Sequence, residues 1–418
     1  MLFLLLGTHL YFTYKLHFIQ KKTPLGIRLS LAKSGQDGRK LSSFSALATS
    51  LAATIGTGNI IGISTAIAIG GPGAVFWCWI TGVLGMATCY AECFLSVKYR
   101  VTKQENKESV YLGGPMYVME QVLGQRSAAV VFAFAVIFVS FGMGSSVQSH
   151  SIASAVVNEF DIDVRFIGIV LAVLTALVIL GGVGKISKIC TWLVPFMSVF
   201  YLAGCLYLLW INREILWQTV DIIVKSAFGI RPVIGGTAGG ILLMAMRTGI
   251  SRGLFTNEAG LGSIPMSAAS SDVEDVKSQA LVSMTGPFWD TVVMCAVTGV
   301  TIVSCMLKVP EKFVSAKDDR LCFLAFSEIA SWGEEMLTIC LVLFAFATIL
   351  GWYFYGECAV KYLFGAKGIG MYQVCYILAV YLGVILSLDA VWAVSDIANS
   401  LMMIPNLLCL WILRKKIS

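Results

Sequence analysis

The feature that most limits what this chain can fold into is a run of 51 residues, 41–91, without a charged side chain. A second run, 127–158, extends for 32 residues. A bilayer crossing needs about 20 predominantly apolar residues, so these runs hold one or two crossings each. One very large buried core would not produce this pattern. Composition agrees: 57% of residues are hydrophobic and 13% charged, where soluble domains carry roughly 25% charged residues. Mean hydropathy is +0.82. The chain is an all-α polytopic membrane protein.

Other classes are excluded by inventory. The net charge of +6 is concentrated in loops on one side, which is a topology signal and not a nucleic-acid surface. Twelve cysteines lie scattered along apolar segments without a C-x-x-C pair and read as small packing residues. Three histidines, His9, His17 and His150, are too few for a multi-haem or multi-zinc enzyme. Residues 2–12 run into Tyr14-Lys15 without a small-residue cleavage site, which predicts a leading span and not a cleaved signal peptide.

Apolar stretches bounded by charge, Gly or Pro predict about eleven spans: 1–20, 43–69, 73–97, 127–157, 165–184, 188–211, 233–251, 277–307, 333–363, 369–388 and 390–413. With the N-terminus outside, the inward loops carry 20 Lys and Arg and the outward loops 8. The positive-inside rule therefore predicts an outside N-terminus and a cytoplasmic C-terminus. One leading helix plus ten divides as 1–20 (leading helix), 21–42 (basic cytoplasmic loop), 43–211 and 212–413 (two five-helix halves) and 414–418 (tail). Two such halves of opposite orientation are the layout of inverted-repeat transporters.

Gly-interrupted spans at matching positions of two such halves point to a transport site. The first core helix contains Gly56-Thr57-Gly58-Asn59, and the sixth contains Gly235-Gly236-Thr237-Ala238-Gly239-Gly240. Each Gly costs about 1 kcal/mol in a helix interior, so both runs predict unwinding, tolerated at membrane depth only where backbone is buried or lines a polar cavity. Asp290, well inside an apolar span, is expected to face the bundle interior with a partner. Glu92 reads as an ion pair with nearby Lys98, and Asp396 as solvent-accessible or bonded to a hydroxyl. Gln148 follows the glycine-rich Gly142-Met143-Gly144-Ser145-Ser146, and His150 reads as a packing histidine. Thr348 and Trp352, four residues apart, share one helix face.

Several fragments in order resemble the alanine or glycine:cation symporter family of bacteria and archaea, over nearly the whole chain. They are Ile55-Gly56-Thr57-Gly58-Asn59-Ile60, Ile69-Gly70-Gly71-Pro72-Gly73, Tyr90-Ala91-Glu92, Gly113-Gly114-Pro115-Met116-Tyr117, Arg252-Gly253-Leu254-Phe255-Thr256-Asn257-Glu258-Ala259-Gly260-Leu261-Gly262-Ser263 and Thr348-Ile349-Leu350-Gly351-Trp352. The resemblance implies a leucine-transporter-type fold, a 5+5 inverted repeat behind a leading helix, with the first and sixth core helices broken. It also implies sodium-driven uptake of alanine and glycine across a prokaryotic cell membrane, with no enzymatic activity and no cofactor beyond the coupling ion. One departure stands out: where the family tends to carry asparagines, this chain has Ser145 and His150.

A small zwitterion needs donors for its carboxylate, and exposed N–H groups at Gly56, Thr57 and Gly58 with the Thr57 hydroxyl supply them. Gly144 and Gln148, with Gly236 and Thr237 of the second predicted break, complete the expected substrate set, Gln148 beside the ammonium. Trp352 is expected to cap the pocket. Sodium, a hard cation, is expected on oxygens of Ala52, Thr54, Ile55, Asn59, Thr348 and Asp290. A proton-coupled carrier, titrating Asp290 or His150, is the main alternative. A membrane enzyme is disfavoured by the missing H-E-x-x-H and G-x-S-x-G motifs, and a channel by the missing filter repeat.

Overall fold

The computed structural model describes residues 2–32, 42–105, 108–229, 238–314, 318–386 and 388–417. The described chain is helical apart from one antiparallel hairpin. In chain order the elements are α1 (Leu2–Lys15), α2 (Thr23–Ser30), α3 (Ser43–Thr54), α4 (Ile61–Gly70), α5 (Gly73–Lys98), β1 (Val101–Glu105), β2 (Glu108–Leu112), α6 (Pro115–Leu123), α7 (Arg126–Val139), α8 (Val147–Phe160), α9 (Val164–Ile179) and α10 (Gly182–Ile211). The second half holds α11 (Leu216–Ala227), α12 (Ala238–Asn257), α13 (Ile264–Ala269), α14 (Val276–Ser283), α15 (Thr285–Pro287), α16 (Ala296–Lys308), α17 (Leu321–Phe326), α18 (Gly333–Phe364), α19 (Ile369–Gly383) and α20 (Leu388–Ile412).

Among the described residues, Gly73–Lys98, Arg126–Phe160, Gly182–Ile211, Val276–Lys308 and Gly333–Gly383 are long and apolar enough to cross a bilayer, and α3 with 57–70 forms a further span bent by 60°. Their outward faces carry large apolar side chains, such as Phe166, Val173 and Leu177 on α9 and Trp192, Phe196 and Val199 on α10. Such a surface has no place in water and suits lipid. The leading helix is not peripheral: Trp411 of α20 donates to Thr8 (3.0 Å) and the His9 ring pairs with Thr88 of α5 (2.7 Å).

Each predicted stretch coincides with helix among the described residues, with shifted ends, although 1–20, 165–184, 233–251 and 390–413 are not among those long and apolar enough there to cross a bilayer. The fifth core helix begins at Gly182 and not 188, so Lys185 and Lys188 are helical, and Lys185 caps the Leu177 carbonyl at 2.8 Å. The predicted 98–126 loop folds into the β1–β2 hairpin, paired from Val101↔Leu112 to Glu105↔Glu108, and α6. The 212–232 connection contains α11, which buries Thr219, Ile223, Ser226 and Ala227 while exposing Trp217, Val220 and Val224.

The largest revision concerns the sixth core helix. Residues 230–237, including Gly235, Gly236 and Thr237, lie outside the described residues, and Ala238-Gly239-Gly240 is helical. The helix continues past the predicted end at 251 to Asn257. Arg252 is therefore inside a helix, not in an inward loop, and Arg247 is not at that helix's inner end.

Candidate functional site

The first discontinuity falls at Gly56-Thr57-Gly58-Asn59, as the glycine spacing predicts. Ser42 caps the start of α3 by accepting from Ser45 N–H (3.1 Å). The helix ends where Ile55 and Gly56 turn extended, and the chain resumes as a short 3₁₀ turn over Thr57–Asn59 before α4. Both glycines are dictated by close approach. A Cβ on Gly56 would stand 2.5 Å from Thr348 Oγ1, and one on Gly58 would stand 2.6 Å from Thr256 Cγ2. Gly351 performs the same service for α18, where a Cβ would meet Ala53 N at 2.5 Å.

The break exposes backbone of both polarities. The last carbonyls of α3, at Ala52, Ala53, Thr54 and Ile55, lack intrahelical donors; the Thr348 hydroxyl lies 3.5 Å from Ile55 O and 3.1 Å from Phe344 O. The first N–H groups of the resumed turn, at Thr57 and Gly58, lack intrahelical acceptors. Gly56 N–H is committed: it donates to Asn59 Oδ1 at 2.9 Å. Of the three N–H groups expected to donate to a carboxylate, that of Gly56 is therefore taken, and those of Thr57 and Gly58 are left without an intrahelical acceptor.

Asn59 bridges the break to the seventh core helix. Its Nδ2 donates to Asp290 Oδ1 (2.8 Å) and to Asp290 O (3.2 Å). Thr291 Oγ1 donates to Asp290 Oδ2 (2.7 Å) and lies 3.3 Å from Thr256 Oγ1. Asp290 is fully buried, inside a π-helical stretch, Phe288–Cys295. A second π-helical stretch, Ser140–Ser146, precedes α8. There Gly144 packs so tightly against Trp352 that a Cβ would fall 2.7 Å from its Cγ. Single-turn π segments recur at functional sites because they re-aim side chains within a helix.

Gln148 on α8 donates to Met143 O (3.2 Å), while its Oε1 is buried without a partner and lies 3.6 Å from the Gly56 Cβ position. A free acceptor beside the break is what an ammonium requires. Trp352 is fully buried, edge-on to Tyr355 at 5.5 Å. The structure thus brings together Ala52, Thr54, Ile55, Gly56, Thr57, Gly58, Asn59, Gly144, Gln148, Asp290, Thr348 and Trp352 around the first break. Asp396 lies on α20, with its side chain outside the described set.

A cavity of ≈ 220 Å³ reaches this break, lined by Thr57 and Gly58 together with residues that include Asp319, Arg320 and Phe323. Drug-sized ligands occupy roughly 300–1,000 Å³, so this space suits a small solute. Trp352 is absent from its walls; Phe255, close to Gly58 (3.3 Å from its Cβ position), stands there instead.

The second described discontinuity is 257–263, between α12 and α13. Glu258, Gly260 and Gly262 take φ of 54°, 90° and 84°. Glu92 holds this loop. Its carboxylate accepts from Gly260 N–H (3.2 Å) and from Asn406 Nδ2 (2.9 Å), and Asn406 also donates to Gly260 O (2.9 Å). The expected Glu92–Lys98 pair does not form; Lys98 lies over the Phe94 and Tyr99 rings, at 5.5 and 5.6 Å. Positions six apart do not share a helix face, whereas three or four apart do. Glu258 accepts from Ser263 Oγ (2.5 Å), and Trp352 faces it.

The sequence profile of the sodium:alanine symporter family matches residues 1–418. The sodium/alanine symporter AgcS of Methanococcus maripaludis is 42% identical over 420 residues, covering 99% of this chain and 91% of that protein. The amino-acid carrier protein AlsT of Bacillus subtilis is 32% identical, covering 98% of this chain and 86% of that one. In architecture the chain is similar to a sodium-coupled sialic acid symporter solved in a substrate-bound outward-open state, with a TM-score of 0.59 at 11% identity, covering 96% and 86% of the two chains. At that identity the likeness speaks for the fold alone, which is leucine-transporter-type.

Proposed function

The chain belongs to the sodium:alanine symporter family, and from that premise we propose that it imports alanine and glycine by sodium symport, from outside a prokaryotic cell to the cytoplasm. It is a transporter and not an enzyme. The observation that carries the reading is the first break: Thr348 and Gln148 approach Gly56 directly, Asp290 is tied to it through Asn59, and the neighbouring Thr57 and Gly58 line a small cavity.

In this reading the substrate carboxylate sits on the N–H groups of Thr57 and Gly58 and on the Thr57 hydroxyl. The ammonium faces Gln148 Oε1. Sodium takes the carbonyls of Ala52, Thr54 and Ile55 and the Thr348 hydroxyl on one side of Gly56. Asp290, tied through Asn59 to the Gly56 N–H, supplies the negative charge nearby. Trp352, packed against Gly144 and off the cavity wall, is assigned to limiting side-chain size by the sequence reading alone. Gly236 and Thr237 are assigned to the substrate by the resemblance alone. One helix bundle rocks against the other around this fixed site, with 43–211 and 212–413 as the two repeats, the N-terminus outside and the C-terminus inside.

Proton coupling is the second reading. The donors that hold Glu92, Glu258 and Asp290 are Gly260, Asn406, Ser263, Asn59 and Thr291, and none of them is a cation. Uptake of labelled alanine and glycine into proteoliposomes, under a sodium gradient or a proton gradient alone, separates the two. Accumulation only with sodium supports symport as proposed; equal accumulation with protons alone favours the alternative.

A further inference from the structure

Away from the transport site, the exposed side of α10 carries a groove with its own chemistry. Lys188, Trp192, Phe196 and Phe200 recur at every fourth position and form one ridge of the helix. The Phe196 and Phe200 rings stack at 6.2 Å with 2° between their planes. Beside this ridge runs a stripe of smaller side chains at the same spacing, Thr191, Pro195, Val199 and Ala203. Phe44 of α3 adds a wall from a second helix. The result is two adjoining grooves of ≈ 630 and ≈ 780 Å³ that share Trp192 and Phe196. Hydroxyl contacts hold the two helices together: Ser45 Oγ lies 2.6 Å from Ser187 Oγ and 3.1 Å from Thr191 Oγ1, and Thr49 Oγ1 donates to Ser187 Oγ at 3.1 Å. The groove is therefore built into a fixed helix junction.

Its charges sit at one end. Lys185 and Lys188 stand there, both exposed, and among the described residues no carboxylate lines either part. Lys185 donates to the Leu177 carbonyl at 2.8 Å, which anchors its ammonium while leaving it further N–H donors to give. Side chains of a helix lean towards its N-terminus, so both cations favour the Gly182 end of α10, clear of the apolar lining. That lining runs from Ile189 to Val199, about 15 Å along the axis, or half of the roughly 30 Å hydrocarbon thickness. A groove one leaflet deep with two cations at its polar end has the shape and charge of a phospholipid site. An acyl chain lies along Trp192, Phe196 and Val199, and the phosphate meets the two ammonium groups.

We propose that the α3–α10 groove binds an anionic phospholipid, with Lys185 and Lys188 holding its phosphate. A zwitterionic lipid fits the same apolar lining but brings a cation beside its phosphate, which offsets the attraction of the lysines. Each lysine near a membrane surface strengthens binding to anionic lipid about fivefold, so the pair selects for net negative charge. The leaflet that supplies the lipid follows from the orientation proposed above, which sets the Gly182 end in the cytoplasm. The groove and its charges do not depend on that orientation.

The test is native mass spectrometry of the full chain in detergent micelles, with a thermal melt on the same samples. The protein is titrated with dioleoyl phosphatidylglycerol, dioleoyl phosphatidylcholine or inorganic phosphate. Phosphatidylglycerol is expected to bind about 25-fold more tightly than phosphatidylcholine and to raise the melting temperature, with no effect of inorganic phosphate alone. Lys188→Gln, an exposed change that leaves the Lys185 contact in place, is expected to weaken phosphatidylglycerol about fivefold and to spare phosphatidylcholine. Lys367→Gln, at an exposed lysine just before α19, is the control and should change neither. Trp192→Ala, also exposed, should weaken both lipids alike, which locates the acyl chain in the groove. Equal affinity for the two lipids overturns the proposal, as does unchanged phosphatidylglycerol binding in Lys188→Gln or in Trp192→Ala. So does an equal loss in Lys188→Gln and Lys367→Gln, which would mean a diffuse charge effect. Stabilisation by inorganic phosphate equal to that by phosphatidylglycerol overturns it too, since the lysines would then hold a free anion. None of these readouts depends on what the protein transports.

Discussion

Replacing Asn59 with leucine removes the one side chain that ties the first break to Asp290. Leucine matches the volume but offers neither an acceptor for the Gly56 N–H (2.9 Å) nor a donor for Asp290 Oδ1 (2.8 Å). A hydrogen bond to a charged group contributes about 1.5–3 kcal/mol, and a buried donor left unsatisfied costs a further 1–3 kcal/mol. The second cost falls on folding, since Gly56 is buried. The first falls on the geometry that holds Asp290 beside the carbonyls at the end of α3. At about 1.4 kcal/mol per decade, the sodium needed for half-maximal alanine binding should rise roughly ten- to a hundredfold. The assay is sodium-dependent binding of labelled alanine to purified protein, with a thermal melt to show that the variant is folded. Asn59→Asp is the companion: it keeps the acceptor for Gly56 but sets a second carboxyl against Asp290, and should weaken sodium affinity at least as much. A folded Asn59→Leu protein with wild-type sodium dependence would refute this account of the break.

Three further outcomes follow from the same contacts. Thr57→Val keeps volume and β-branching but removes a hydroxyl beside the cavity, so alanine affinity should fall about tenfold with sodium affinity retained; equilibrium binding with each ligand titrated separately checks it. Trp352→Ala should weaken discrimination against larger side chains such as leucine by about 1–3 kcal/mol, read as the ratio of competition constants for leucine and alanine. Glu92→Ala leaves Gly260 N–H without its acceptor and Asn406 with only its bond to Gly260 O, and should destabilise the fold by about 1–3 kcal/mol, visible as a lowered melting temperature, whereas Lys98→Ala should leave that temperature within a degree or two.

What the sequence disclosed follows from how each signal arises. The break at Gly56–Gly58 is legible because two glycines and two polar residues interrupt an uncharged run of 51 residues. Thr348 and Trp352 are legible as a pair because four residues make a helix turn. The second described break is harder to see. Counting glycines favours 235–240, where they are densest, whereas the chain turns at 257–263, where two glycines and a strained Glu258 carry positive φ. What stabilises that turn comes from α5 and α20, through Glu92 and Asn406, 168 and 146 residues distant from Gly260. No local pattern contains such a pairing, although the Arg252–Ser263 motif of the family resemblance marks the segment. Pairing Glu92 with Lys98 rests on proximity in sequence, which the helical period does not support. Likewise α11 hides in a connection too polar to count as a span, because its apolar side covers only one face.

The most direct test of sodium coupling at this site is reciprocal flux. Proteoliposomes held at zero membrane potential and constant pH, with radioactive sodium outside, are given an inward alanine gradient and no sodium gradient. The account predicts alanine-driven sodium entry that is unaffected by a protonophore and that in Asn59→Leu needs roughly ten- to a hundredfold more sodium. Alanine entry without accompanying sodium, or sodium entry indifferent to alanine, would contradict it.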